Sequence, residues 1–219
     1  MFDREIPESH WLALPGDDPE KAKEAGFKAV KLKIGRDLFG EISELTRWHE
    51  AGVSLRVDGN EMLSLSTFLE FWEELGIVSK YVEFVEDPVL WDPDTWRILR
   101  EMGIGVAVDR EVESRWEEGS LAVLKPAVTS WTPPASGQLL VTSYMDHAVG
   151  QLWAAYEATR LEKEHAQQFR GAGLFTHRCF ESDPFFERIA SSGARLLAPT
   201  GTGLGFDDLL ENLPWKALT

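Results

Sequence analysis

The sequence predicts a (β/α)₈ barrel, a ring of eight parallel strands with helices outside, from three observations. Short β-type runs alternate with helical periodicity along the chain, and such alternation implies parallel strands joined by crossovers. Eight candidate strands fall within 219 residues, against about 250 for a typical barrel of this kind. Four of the runs end in an apolar stretch followed by an ionisable residue, as expected of strands that open onto one mouth. An open doubly wound sheet is the alternative; the strand count and the placement of the charges favour the barrel.

"HWLAL" (10–14) reads as the first strand, and "DPEKAKEAG" (18–26) as a helix with Gly26 as its C-cap. "AVKLKIG" (29–35) is the second strand, followed by a helix over 38–50, and "SLRVDGN" (54–60) is the third. The helix over 64–75 carries Phe68, Leu69, Trp72 and Leu75 at helical period and stops at Gly76. "YVEFVEDP" (81–88) is the fourth strand; Asp92 then caps a helix with Pro93 in its first turn, running to Gly103. "GVAVDR" (105–110), "LAVLKPAV" (121–128) and "QLLVTSYMD" (138–146) supply strands five to seven. A helix over 147–164 places Leu152, Ala155, Tyr156 and Thr159 on one face, and "GLFTHRCF" (173–180) reads as the eighth strand. A short helix over 184–191 and a glycine-rich tail complete a single domain. Trp48, Trp72, Trp96 and Trp153 fall on helices and are expected to pack against the barrel.

One connection departs from the pattern. "TSWTPPASG" (129–137) holds two prolines and a glycine, which rule out the usual crossover helix. Parallel neighbours need about a dozen residues of crossover, so either the flanking strand ends lie elsewhere or this face of the barrel is open.

Composition narrows the function. A net charge of −15 repels nucleic-acid phosphates and anionic lipid, which argues against a binder of either. It leaves a small anionic substrate open, because a local cation overrides the global field. The single cysteine, Cys179, permits no intrachain disulfide or cysteine-rich zinc site, and is expected to be a small buried hydrophobe. The N-terminus lacks the basic start and apolar run of a signal peptide. No run reaches about 18 apolar residues, so a cytoplasmic location is expected. Oligomeric state is not legible.

The chemistry concentrates at strand ends. Asp58, Glu86 and Asp109 end strands three, four and five, and Lys125 ends strand six. Three converging carboxylates repel one another and are costly to desolvate. A hard divalent cation removes that cost; oxygen donors without thiolate or clustered imidazole suit Mg²⁺, with Mn²⁺ second. Lys31 and Lys33, two residues apart on strand two, point to the same face. A carboxylate oxygen on such a cation acidifies the adjacent C–H. Lys33 fits the base that removes that proton, with Lys31 as the neighbouring charge that lowers its pKa.

"KLKIG", "LRVDGN", "EFVEDP", "AVDR" and "VLKP", in that order over 29–126, resemble the barrel domain of the enolase superfamily in its muconate-lactonizing branch. Within the branch the chain is most similar to the o-succinylbenzoate synthase family of menaquinone biosynthesis, whose seventh- and eighth-strand regions "VTSYMDHAVG" and "GLFTHRCFESDPF" also resemble. The resemblance implies Mg²⁺ on Asp58, Glu86 and Asp109. It implies that Lys33 takes the proton alpha to the carboxylate of 2-succinyl-6-hydroxy-2,4-cyclohexadiene-1-carboxylate and assists loss of water. Lys125 would stabilise the enolate from the other face, Lys31 would support Lys33, Asn60 would stand beside the ligands, and Ser143 would meet the succinyl side.

The chain also departs from the family. Its members carry an N-terminal α+β capping domain, whereas this sequence enters the barrel almost at once; Arg110 follows Asp109 where an acidic residue is usual. N-acylamino acid racemisation or dipeptide epimerisation by the same lysine pair is the nearest rival, and a barrel impaired by lack of a cap is another. "GTGLG" (201–205) reads as a closing loop, and His147, His165 and His177 lack metal-ligand spacing.

Overall fold

The computed structural model describes residues 2–216. Eight strands run parallel in chain order: β1 (Trp11–Leu12), β2 (Ala29–Lys33), β3 (Ser54–Asp58), β4 (Val82–Glu86), β5 (Val106–Val108), β6 (Leu121–Leu124), β7 (Gln138–Thr142) and β8 (Phe169–Gly173). Ser9, just ahead of β1, bridges Ala172 of β8 in parallel, and the His10 N–H donates to the Ala172 carbonyl at 2.8 Å. The sheet therefore returns to its start, as the barrel reading expected.

Most helices begin where their capping residues require. Asp18, Asp37, Ser64 and Asp92 each accept a backbone N–H in the first turn of α1 (Pro19–Glu24), α2 (Leu38–Glu50), α3 (Leu65–Leu75) and α4 (Pro93–Glu101). Gly26 follows the last turn of α1 at φ +87°, the left-handed conformation that glycine adopts at least cost. A single turn, α5 (Val112–Arg115), and the long α6 (Ala148–Glu164) follow.

Strand alternation separates two cores. Val30, Leu32, Leu55, Val57, Val85, Ala122, Leu124 and Val141 face outward, where Leu45, Trp48, Phe68, Trp96, Leu99 and Leu152 of the helices cover them. Phe84, Ala107, Leu121, Val123 and Leu140 form a smaller cluster inside the barrel. The period of two that turns Val30 and Leu32 outward turns Lys31 and Lys33 inward.

Several elements differ from expectation. The eighth strand is Phe169–Gly173 rather than 173–180. Its inner positions are Gly171 and Gly173 because neighbours fill the space: a Cβ on Gly173 would lie 2.5 Å from His10 Nε2. The apolar run after it, including Leu174 and Phe175, is buried loop that imitated a strand. The helix expected over 184–191 is a 3₁₀ turn at Phe186–Arg188, followed by a hairpin of β9 (Ser191–Ser192) and β10 (Arg195–Leu196). A helix α7 (Asp207–Glu211) lies in the glycine-rich tail, and a 3₁₀ turn at Gly76–Tyr81 extends α3 toward β4.

On α3, Phe68, Phe71 and Leu75 are buried, while Leu69 and Trp72 pack at the edge of the core. Trp48 and Trp96 are buried, but Trp153 is 39% exposed and stacks on Tyr156. Cys179 is half-buried rather than buried, and burial raises its thiol pKa.

The proline-rich connection contains no helix, as its composition required. β6 ends at Leu124 and not at 128, so the crossover spans 125–137 and is long enough to join parallel neighbours. Trp116 and Trp131 meet over this face at 5.9 Å, and Gln168 Nε2 ties it down through the carbonyls of Pro134 and Gly137. No helix among the described residues is long and apolar enough to cross a membrane.

Candidate active site

Lys31, Lys33, Asp58, Asn60, Asp109, Lys125 and Ser143 line one cavity at the C-terminal ends of the strands. Glu86 lies beneath it, 1% exposed. The eight residues singled out in the sequence are thus brought together. A wider groove of about 680 Å³ adjoins the cavity, sharing Asp109 and Lys125 and reaching Arg110 and Tyr144. A separate cleft lined by His49, Gly52, Lys80 and Glu83 sits at the other end of the barrel and gathers no such constellation.

Two carboxylates balance the inward Lys31. Lys31 Nζ lies 2.8 and 2.7 Å from the two carboxylate oxygens of Glu86 and 2.8 Å from Asp58 Oδ2. Burial disfavours its charge, but Glu86 and Asp58 outweigh burial and raise its pKa above the ordinary lysine range. Burial raises the pKa of Glu86; Lys31 opposes that shift, while Asp58 and Asp109 add to it. Among the described residues Lys33 carries no such pair, and it is exposed. Two carboxylates thus offset the Lys31 charge.

Asp109 pairs with Lys125, whose ammonium stands 5.8 Å from the centre of the Tyr144 ring. The Asp109 N–H donates to Asp87 Oδ1 at 3.1 Å. Burial lifts the Asp87 carboxyl to about 6 despite that N–H bond. Asn60 donates from Nδ2 to Asp58 Oδ1 at 2.8 Å and from its backbone at 3.2 Å. Ser143 and Thr176 share a hydroxyl hydrogen bond of 2.6 Å. Arg110 reaches Asp87 at 3.5 Å and Glu61 at 3.8 Å, both long for ion pairs.

Backbone strain collects at the same end. Asn60 and Glu61 after β3, Asp87 after β4, Glu111 after β5 and Met145 after β7 all have positive φ. Strain of this kind costs about 1–3 kcal/mol per residue and persists where surrounding structure overdetermines it.

Among the described residues no three acidic, His or Cys side chains stand ready as a metal cage; lysines hold the carboxylates instead. The donor set still fits a hard divalent cation. Three carboxylates end adjacent strands, and Asp109 Oδ1 is buried with no hydrogen-bond partner among the described residues. Lys31 holds both oxygens of Glu86, whereas Oδ1 of Asp58 and Oδ1 of Asp109 carry no ammonium contact.

Inward polar residues also escaped the sequence reading, among them His10 and Arg56. Their signal was alternation: His10 shares a face with Leu12, and Arg56 shares one with Asp58.

The family described as enolase C-terminal domain-like matches residues 17–129. The chain is 34% identical to an o-succinylbenzoate synthase of Bdellovibrio bacteriovorus over 96% of its own length and 67% of that protein. The chain belongs to the enolase superfamily.

Within this superfamily its barrel superposes on muconate lactonizing enzyme from Pseudomonas putida with TM-score 0.68 and 18% identity, over 95% of this chain and 66% of that one. Dipeptide epimerase from Enterococcus faecalis gives 0.64 and 15% identity, over 86% and 60%. The chain thus spans about two thirds or less of these relatives. Likeness to the two structures establishes the shared fold, while likeness to the synthase supports an enzyme of the lyase type.

Proposed function

We propose that this chain is the barrel of an o-succinylbenzoate synthase, which removes water from 2-succinyl-6-hydroxy-2,4-cyclohexadiene-1-carboxylate. The supporting observation is that Lys33 of β2 and Lys125 after β6 line one cavity from opposite sides of the eight-stranded ring, with Asp58, Glu86 and Asp109 between them. The similarity to a synthase adds to it.

Lys33, as the free amine, takes the proton from the carbon alpha to the ring carboxylate. The C–H electron pair moves into the carboxylate, forming an ene-diolate. The Lys33 ammonium returns its proton to the departing hydroxyl, which leaves as water from the same face while the ring becomes aromatic. Lys125 keeps its charge and stabilises the electron-rich ring from the other face. Asn60 holds Asp58 in place through the Nδ2 bond. Mg²⁺ held by Asp58, Glu86 and Asp109 would supply Lewis-acid polarisation of the substrate carboxylate. The proposed partner is accordingly a small anionic carboxylate.

Dehydration assayed with Mg²⁺ for wild type, Lys33→Ala and Asp58→Ala tests this reading. Both variants are expected to lose about 10²–10⁴-fold in turnover; equal turnover in all three removes the mechanism. The lysine pair also serves racemisation, and a dipeptide epimerase shares the fold. Deuterium exchange into an N-acylamino acid or dipeptide in D₂O, without dehydration of the cyclohexadiene, favours that reading.

A further inference from the structure

His10 lines the same cavity as the lysines, and none of the steps above uses it. It is 4% exposed and sits just ahead of β1, on the inner face. Its Nδ1 lies 3.1 Å from Arg56 Nη1. Arg56 is itself buried and held on three sides: Nε donates to Glu83 Oε2 at 2.7 Å, Nη2 donates to the Arg170 carbonyl at 3.1 Å, and the guanidinium lies over the Phe84 ring. A guanidinium is permanently protonated and has donors only. Nδ1 must therefore accept, and the proton of a neutral imidazole is assigned to Nε2.

That Nε2–H makes no hydrogen bond among the described residues. Nε2 and Cε1 lie where a Cβ on Gly173 would stand, so glycine at this position of β8 leaves room for the ring edge. The Thr142 methyl borders the same point, and Thr142 also lines the cavity. A donor with a fixed tautomer thus stands without a protein acceptor among the described residues on the β1–β8 side of the cavity.

We propose that His10 touches the substrate, donating a hydrogen bond from Nε2–H to a carboxylate or carbonyl oxygen of the bound anion. This rests on the substrate class given under Proposed function. Burial, then the charges of Arg56 and Lys31, depress the imidazole pKa well below its ordinary value, so His10 acts as a neutral donor and not as a second cation.

The test combines ring nitrogen NMR of ¹⁵N-labelled protein with kinetics of His10→Gln and His10→Phe, using o-succinylbenzoate as the bound probe. His10 is expected to show a protonated Nε2 and a bare Nδ1, with the Nε2 signal moving on addition of the probe. His10→Phe is expected to raise KM by about 10- to 100-fold, the effect of one hydrogen bond to a charged group. His10→Gln, whose amide reaches the Nε2 position, is expected to recover part of that loss, which a purely structural role does not predict. Normal wild-type turnover with an unmoved Nε2 signal and wild-type KM in both variants overturns the contact. A probe-dependent Nε2 shift without dehydration preserves the contact and removes the assigned reaction. Absence of both removes both.

Discussion

Lys31 Nζ sits 2.7 Å from Glu86 Oε2 across two strands, with both side chains almost wholly buried. Glu86 and Asp58 are at once the partners of this ammonium and two of the proposed metal ligands. Lysine and cation thus compete for the same oxygens, and stability should report on that competition.

Lys31→Met leaves the buried Glu86 and Asp58 without their cation. In the presence of EDTA, urea unfolding is expected to show a loss of about 3–5 kcal/mol. Mg²⁺ should recover more stability in the variant than in wild type, since no ammonium opposes it. Equal midpoints in EDTA would show that Lys31 does not hold these carboxylates in solution.

Asn60 orients Asp58 and has φ +48°. Asn60→Gly removes the amide while tolerating that backbone conformation, so it isolates the side chain. Calorimetric titration with Mg²⁺ is expected to give an affinity about 10–100-fold weaker. An unchanged affinity would make Asn60 a turn residue only.

His10 makes stability depend on pH. Its folded pKa is depressed, first by burial, while the unfolded chain titrates near the ordinary 6.5. Below about pH 6.5 the unfolded chain binds a proton that the folded protein refuses, so acid favours unfolding. This contribution is fully present above the unfolded pKa. It falls by up to about 1.4 kcal/mol per pH unit until the folded pKa is reached. Urea midpoints from pH 7.5 to 5 should fall less steeply in His10→Gln; parallel profiles would mean that His10 is not buried as the neutral form.

Two tryptophans on the helical layer should separate sharply. Trp96 is 1% exposed and donates to the Val89 carbonyl at 3.2 Å, so Trp96→Ala is expected to cost about 3–5 kcal/mol. Trp153 is largely a surface residue stacked on Tyr156, and its alanine variant should cost about 1 kcal/mol or less. Thermal melts of the two variants side by side measure the difference, and similar shifts would contradict this packing.

Much of the site was legible because its signals are local. The sequence by itself determined the alternation of strands and helices, the caps at Gly26 and Asp92, and the inward lysines and strand-end carboxylates, since each rests on period or on contacts within one turn. Only the tertiary structure decided that Lys31 reaches Glu86 across a separation of 55 residues, and that Asp109 belongs with Lys125. It also decided that β8 begins at Phe169, because Gly171 and Gly173 leave space for Arg56 of β3 and for His10 ahead of β1. The reason is geometric: the inside of a barrel is shared by all eight strands, so the volume and charge at any inner position answer to side chains distant in sequence.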